Sequence, residues 1–357
     1  MKRLLRLPAF VVASAFAFAF AFAFRRSRRS PRGWTARRRA VVLSFLFLTL
    51  FHPPAGAAAV DPGNRNSVVS FYNSEYMASE GVPSGWNGNV NSCQAGTISS
   101  TYRDAGLRRV NYFRAMAGLP PINATDPTRN AKCQEAALMM SANGALSHSP
   151  PASWTCYTAD GAEAAGKSNL AMGYASLPTA VTAWVDDGSI PSAGHRRWVL
   201  YPPQISTGLG AVIAGAPAYV MWVIGTAGSR PASPEWVAWP PEGFLPYELL
   251  PSLWSFSYPG ASFSGTTVSV VREGVPLAVI LETVQNGYGD NTLVWRPQGL
   301  GAGVPGRDVS HQVTLSNVTI SGSQRTFTYT VTVIDPAVVP TVPTTWGSLK
   351  LRYRSGN

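Results

Sequence analysis

Apolar positions along the chain keep a helical period in its first half and a strand-like one toward its end. Leu107, Val110, Phe113, Ala117 and Leu119 recur at near-helical spacing and stop at Pro120-Pro121. A second helix is predicted from Asp126, an N-cap residue followed by Pro127 at the first helical position. It runs through Ala131, Ala136, Ala137 and Met140, and Gly144 is its natural stop. Pro178 to Trp184 reads as a short third helix with Val181 and Trp184 on one face. Thr207–Ile213 and Ala218–Ile224, joined by Ala-Gly-Ala-Pro, read as a β-hairpin. Three helices interleaved with a hairpin point to an α/β/α sandwich.

Residues 60–100 are rich in Asn, Ser and Gly and read as an irregular N-terminal arm. Residues 229–252 hold Pro231, Pro234, Pro240, Pro241, Pro246 and Pro251, a density expected of an irregular interdomain linker. Beyond it the helical period disappears. Thr266–Arg272, Leu277–Glu282, Gln312–Val318 and Thr326–Ile334 are short β-branched stretches broken by Gly, Asn and Pro. They predict an all-β sandwich of immunoglobulin-like architecture over 253–336, followed by a tail at 337–357. It has no Cys–Trp–Cys framework, so the likeness is one of architecture alone.

Charge changes the picture only at the N-terminus. The formal net charge is +11, but residues 1–59 carry 11 Lys/Arg and no acid, so 29 − 11 = 18 basic residues balance 18 acidic ones in the remainder. A balanced body has no excess of cations to release counterions from a phosphate backbone, which excludes nucleic acid as the expected partner. Within 1–59, Ala40 to Phe51 is a 12-residue apolar run preceded by basic residues and followed by Ala55-Gly-Ala-Ala-Ala59. That is a secretory signal pattern, and at about 1.5 Å per residue the run is too short to span a bilayer. The mature chain is expected to start near Val60, secreted or held in the cell envelope. The 17-residue run Pro8 to Phe24 has two open readings, an extension upstream of the true start or a membrane anchor. A membrane partner follows only from the second.

Three cysteines, Cys93, Cys133 and Cys156, remain after such processing, and in an exported chain a disulfide is expected. Cys93–Cys156 is the favoured pair, because Cys133 lies inside a helical pattern where it reads as a small buried hydrophobe. Cys133–Cys156 stays open as the alternative. Arg196-Arg197-Trp198 reads as a source of salt bridges and cation–π contacts rather than a ligand clamp. Trp236, Trp239 and Trp254 read as glue between the two domains, with a sugar-stacking surface as the other reading.

Asn111-Tyr-Phe-Arg114 followed by Ala-Gly-Leu-Pro, then Leu146-Ser-His-Ser149, resembles the opening of the CAP superfamily. The resemblance continues through Ser168-Asn169-Leu170, Ala183-Trp184, Gly194-His195-Arg196 and Gly208-Leu-Gly210, and covers about residues 101–226 in the expected order. That superfamily includes cysteine-rich secretory proteins, venom antigens, plant pathogenesis-related proteins and bacterial relatives. The fold class is therefore read as α+β, a CAP-type α/β/α sandwich at 101–228 followed by the β-sandwich.

The resemblance implies a cleft built from two histidines and two acids, which in some members holds a divalent metal. Here the positions are His148 and His195, Asp187 in place of one acid, and Ser168 where the other is expected. Two imidazoles, one carboxylate and water can hold zinc, so His148, Asp187 and His195 form a candidate metal set. With Glu163 as a base, such a metal could activate water. Ser168, His148 and Asp187 can also be drawn as a nucleophilic triad, but no Gly-x-Ser-x-Gly elbow surrounds the serine. The expected function is a secreted ligand- or partner-binding protein, its ligand a lipid, peptide or glycan, with a cleft around His148, Ser168, Asp187 and His195. The competing readings are a metal-assisted hydrolase of peptide or cell-wall material and a structural adhesin with a vestigial cleft.

Overall fold

The computed structural model describes residues 60–301 and 303–338. The expected signal at 1–59 and most of the tail at 337–357 lie outside the described residues. Among the described residues no helix is long and apolar enough to cross a membrane.

The N-terminal half contains helices α1 (Arg65–Phe71), α2 (Ser100–Met116), α3 (Pro127–Asn143), α4 (Ala159–Gly166), α5 (Leu177–Asp186) and α6 (Gly194–Val199). It also contains strands β1 (Ser168–Met172), β2 (Leu209–Val212) and β3 (Ala218–Trp222), which form an antiparallel sheet in the order β1-β3-β2. The two long helices start where capping chemistry places them. Ser99 accepts from the Tyr102 amide and Asp126 from the Arg129 amide, satisfying N–H groups that the first turn leaves free. Gly144, left-handed at φ 59°, closes α3.

The strand period of two divides the sheet between two cores. Leu209, Ala211, Tyr219 and Met221 belong to the same buried cluster as α2 and α5. Val212, Ala218, Val220 and Trp222 belong to a second cluster with α3 and α4. Gly210 has no side chain because the α3 backbone at Cys133 and Gln134 occupies the space a Cβ would need. Helices therefore cover both faces, as the periodicity predicts. The arm at 60–100 is not wholly irregular, since Asn64 caps α1 and Val68 and Phe71 enter the core.

The C-terminal half is formed by β4 (Val237–Trp239), β5 (Gly243–Pro246), β6 (Trp254–Ser257), β7 (Thr267–Arg272), β8 (Val275–Leu277), β9 (Val279–Leu281), β10 (Thr292–Pro297), β11 (Val309–Ile320) and β12 (Ser323–Ile334). One sheet has the order β4-β6-β10-β9 and the other β5-β12-β11-β7-β8, antiparallel except for β5 beside β12. The sheets face each other through aromatic contacts, with Phe256 and Phe327 at 4.9 Å and Trp236 and Tyr329 at 5.4 Å between ring centroids.

The expected linker is corrected here. β4 and β5 lie inside 229–252 and serve as edge strands, a place where proline is tolerated because one side of the backbone has no ladder to complete. The helical half and the two-sheet half share one buried cluster, which Trp239 enters beside Phe113 with ring centroids 5.3 Å apart. Trp239 is thus the tryptophan that joins the halves, whereas Trp236 and Trp254 pack within the two-sheet half.

Candidate functional site

Asp187 is the left-handed C-cap residue of α5, at φ 48° and ψ 25°, and it is buried. That turn aims its carboxylate at the start of α6, where Ala193 provides no side-chain cap. Asp187 Oδ2 accepts from the backbone amides of His195 at 2.9 Å and Arg196 at 3.3 Å. Its Oδ1 lies 2.8 Å from His195 Nδ1. Asn169 on β1 donates from its side chain to the His195 carbonyl at 3.0 Å, which fixes α6 against the sheet.

His148 lies in the loop after α3, and its Nδ1 is 2.8 Å from the carbonyl of Ala165 near the end of α4. A carbonyl or a carboxylate oxygen only accepts, so each neutral imidazole carries its proton on Nδ1. Among the described residues neither Nε2 has a protein partner, so each keeps an acceptor lone pair.

Both rings line one cleft of about 370 Å³. Its polar part consists of His148, Ser168, Asn169, Ser192 and His195, and its apolar part of Ile190, Trp198, Val223, Ile224 and Tyr288. None of these side chains is Asp, Glu, Lys or Arg. Ile190, Ile224 and Tyr288 are among the exposed large hydrophobic residues of the protein, and His148 is exposed beside them, while Ser168, Asn169 and Ser192 are buried.

Of the four residues expected at the cleft, His148, Ser168 and His195 line it, and Asp187 stands behind His195 and orients it. The metal set that the resemblance implies, His148, Asp187 and His195, is not assembled as ligands. Among the described residues no three His, Cys, Asp or Glu side chains are grouped to hold a metal ion, and both oxygens of Asp187 already serve α6 and His195. The residues do not fit the divalent metal that the resemblance implies. The drawn triad is likewise unformed, because Asp187 pairs with His195 rather than His148 and the Ser168 hydroxyl makes its side-chain hydrogen bond with Cys133 Sγ at 4.0 Å. Glu163 is no base for the cleft. It bridges Lys132 and Lys167 at 2.6 and 2.7 Å, and those hydrogen bonds hold its carboxyl down at about 2.

The favoured disulfide, Cys93–Cys156, is formed, and Cys133 is a buried thiol pushed up to about 12 by burial. Arg196 and Arg197 bind mainly backbone carbonyls, Arg196 those of Val185 and Asp186, and Arg197 those of Gln285 and Asp290. The residue that sequence reasoning missed is Tyr288, which comes from the loop between β9 and β10. Its one sequence signal is the pair of glycines around it, Gly287 and Gly289, both at positive φ.

No curated protein matches this chain at a significant level. Among solved structures, PcoC, a methionine-rich copper resistance protein from Escherichia coli, matches at 15% identity over 27% of this chain and 92% of that one, with a TM-score of 0.21. The selenomethionine form of PcoC matches at 17% identity over 27% and 94%, also with a TM-score of 0.21. Scores of that size support no statement about fold or function. Residues 107–225 match the family described as CAP, the cysteine-rich secretory protein family, and the match supports a CAP-superfamily domain in this part of the chain.

Proposed function

We propose that this is an exported, bacterial-type CAP-domain protein that binds an uncharged, hydroxyl- or amide-bearing ligand, of which a short neutral glycan is the type. On this reading the signal within 1–59 is removed near Val60, and the CAP domain spans about 101–228. The two-sheet half is an immunoglobulin-like sandwich that begins at the strands inside 229–252. The disulfide fits an oxidising compartment.

The observation that carries the reading is the state of the two histidines. Both have Nδ1 bound within the protein, and both offer Nε2 as an acceptor to one cleft without a carboxylate, ammonium or guanidinium in its lining. Acceptors of this kind recognise O–H and N–H donors. Trp198 and Tyr288 supply apolar faces for stacking, and about 370 Å³ lies in the ordinary range for a small-molecule site.

The test is native mass spectrometry of the full protein purified from the export medium, with saturation-transfer NMR against neutral di- and trisaccharides. The expected result is a neutral ligand or a bound saccharide that His148→Ala/His195→Ala loses while circular dichroism shows the variant still folded, at the lower melting temperature expected when Asp187 loses its His195 partner. A folded wild-type protein that carries no adduct and binds no saccharide at millimolar concentration refutes the reading.

A further inference from the structure

The cleft is not closed by CAP residues alone. The loop from Gln285 to Asp290, between β9 and β10 of the two-sheet half, reaches it and contributes Gly287 and Tyr288 to its lining. The loop is held from the helical side. Arg197 on α6 donates to the carbonyl of Gln285 at 2.7 Å and to that of Asp290 at 2.8 Å, and its guanidinium lies 5.4 Å from the centre of the Tyr288 ring. Arg230 pairs with the Asp290 carboxylate at 3.0 and 2.6 Å. Charge-assisted hydrogen bonds at both ends of a six-residue loop leave it little freedom.

The contact face is shaped for the ring. A Cβ at Gly194 would stand 3.0 Å from Tyr288 Cδ1 and 3.2 Å from Cε1, so the ring lies flush on the first turn of α6, one residue from His195. Gly289 serves the loop in the same way, because its φ of +66° would strain any side chain and a Cβ there would stand 3.0 Å from Tyr201 Cδ2. The side chain of His195 remains only 26% exposed behind this wall, whereas His148 on the other side of the cleft is exposed.

We infer that the two-sheet half supplies the second wall of the ligand cleft, with Tyr288 as a residue that determines what the cleft admits and Arg197 as the residue that positions it. This rests on the reading of the cleft as a ligand site, but the wall can be tested without any ligand. The probe is diethyl pyrocarbonate, which acylates accessible imidazole nitrogen, with modification followed residue by residue by mass spectrometry on the full folded chain.

Three histidines give an internal scale. His148 is exposed and should react in every variant, and His311 is buried and should stay silent while the protein is folded. His195 is the reporter. Tyr288→Ala should raise its modification rate about threefold or more, and Tyr288→Phe, which keeps the ring, should leave it unchanged. Arg197→Lys gives up the two-ended hold on the loop, and it should raise the His195 rate with His311 still silent. Unchanged His195 reactivity in Tyr288→Ala and Arg197→Lys overturns the wall, and a ligand site bounded by CAP residues alone would survive that result. Raised reactivity in a protein that binds no saccharide establishes the wall and refutes the ligand reading instead.

Discussion

Replacing Asp187 by alanine removes three hydrogen bonds at once, and the size of the loss follows from what each partner is left with. The His195 and Arg196 amides, bound at 2.9 and 3.3 Å, lose their acceptor at the start of a helix that has no other cap. His195 Nδ1 loses its partner at 2.8 Å, and the fully buried Arg196 loses an anion that favours its charge. A buried donor left unsatisfied costs about 1–3 kcal/mol, and breaking a buried charge contact about 3–5 kcal/mol. These groups share one partner and do not add, so the expected total is about 4 kcal/mol. At about 2–4 °C per kcal/mol for a domain of this size, the melting temperature should fall by about 8–16 °C. Circular dichroism at constant pH measures it. Asp187→Asn is the sharper variant. Its side-chain oxygen can still accept from the two amides, but its NH₂ then faces His195 Nδ1. That nitrogen must become the acceptor, so the ring proton moves to Nε2 in the cleft. Long-range ¹H–¹⁵N spectra should show the Nδ1–H form in the wild type and the Nε2–H form in the Asn variant. An alanine variant that melts within about 2 °C of wild type, or an Asn variant with an unchanged tautomer, would refute the reasoning.

Three further outcomes are expected. Breaking Cys93–Cys156 by Cys93→Ser/Cys156→Ser frees a cross-link across 63 residues and should cost about 4 kcal/mol, read as a lowered denaturant midpoint with a slope that is no smaller, because the unfolded chain becomes more expanded. His311 is held below the ordinary imidazole range, first by burial and then by the charge of Arg272, and its ring nitrogens lie by the Val309 and Val331 backbone without a well-formed hydrogen bond. Because the unfolded chain then takes up the proton first, stability is fully present above about pH 6.5 and falls as the pH drops toward the folded value. His311→Phe should flatten that acid limb in melting curves, and an unchanged limb would show that His311 does not cause it. Finally, Asp187 is engaged with α6 and His195, so the purified protein should retain no stoichiometric zinc by elemental mass spectrometry. One zinc per chain that is lost in His148→Ala/His195→Ala would restore the metal reading.

The sequence carried most of the local structure and little of how distant segments meet. Asp126, Pro127 and Gly144 mark both ends of α3 in capping chemistry that any window of the chain contains. The hairpin of β2 and β3 and the helical stripe of α2 were equally legible, because burial imposes their periods directly. The strands inside 229–252 were not, since an edge strand of three or four residues among prolines has no period to read. At the cleft the resemblance named four positions, three of which line it. That Asp187 would face His195 rather than the ligand depends on a left-handed turn at a non-glycine residue, which propensity argues against. Tyr288 was out of reach for a different reason. It lies 93 residues beyond His195, in a loop whose place is set by carbonyl contacts to Arg197 that leave no pattern in side-chain types.

Serine at 168 and the inward role of Asp187 have one electrostatic consequence together. Ser168 is 4% exposed, next to the Cys133 thiol, and no lysine or arginine lines the cleft. A carboxylate at that position would lose hydration without gaining a counter-charge, the arrangement that buried ions avoid. The hydroxyl carries no such penalty. The Asp187 charge is in turn taken up by two amides and the His195 ring, with Arg196 close by. The cleft therefore presents hydrogen-bonding groups and aromatic faces without a charged Asp, Glu, Lys or Arg side chain in its lining, and recognition in it depends on where donors and stacking faces meet. Screening acts on charges and leaves such contacts almost untouched, so affinity for the ligand should be nearly the same in dilute buffer and in about 0.5 M salt. A steep decline with salt would instead place the binding contacts outside this cleft, on charged groups that its lining does not contain.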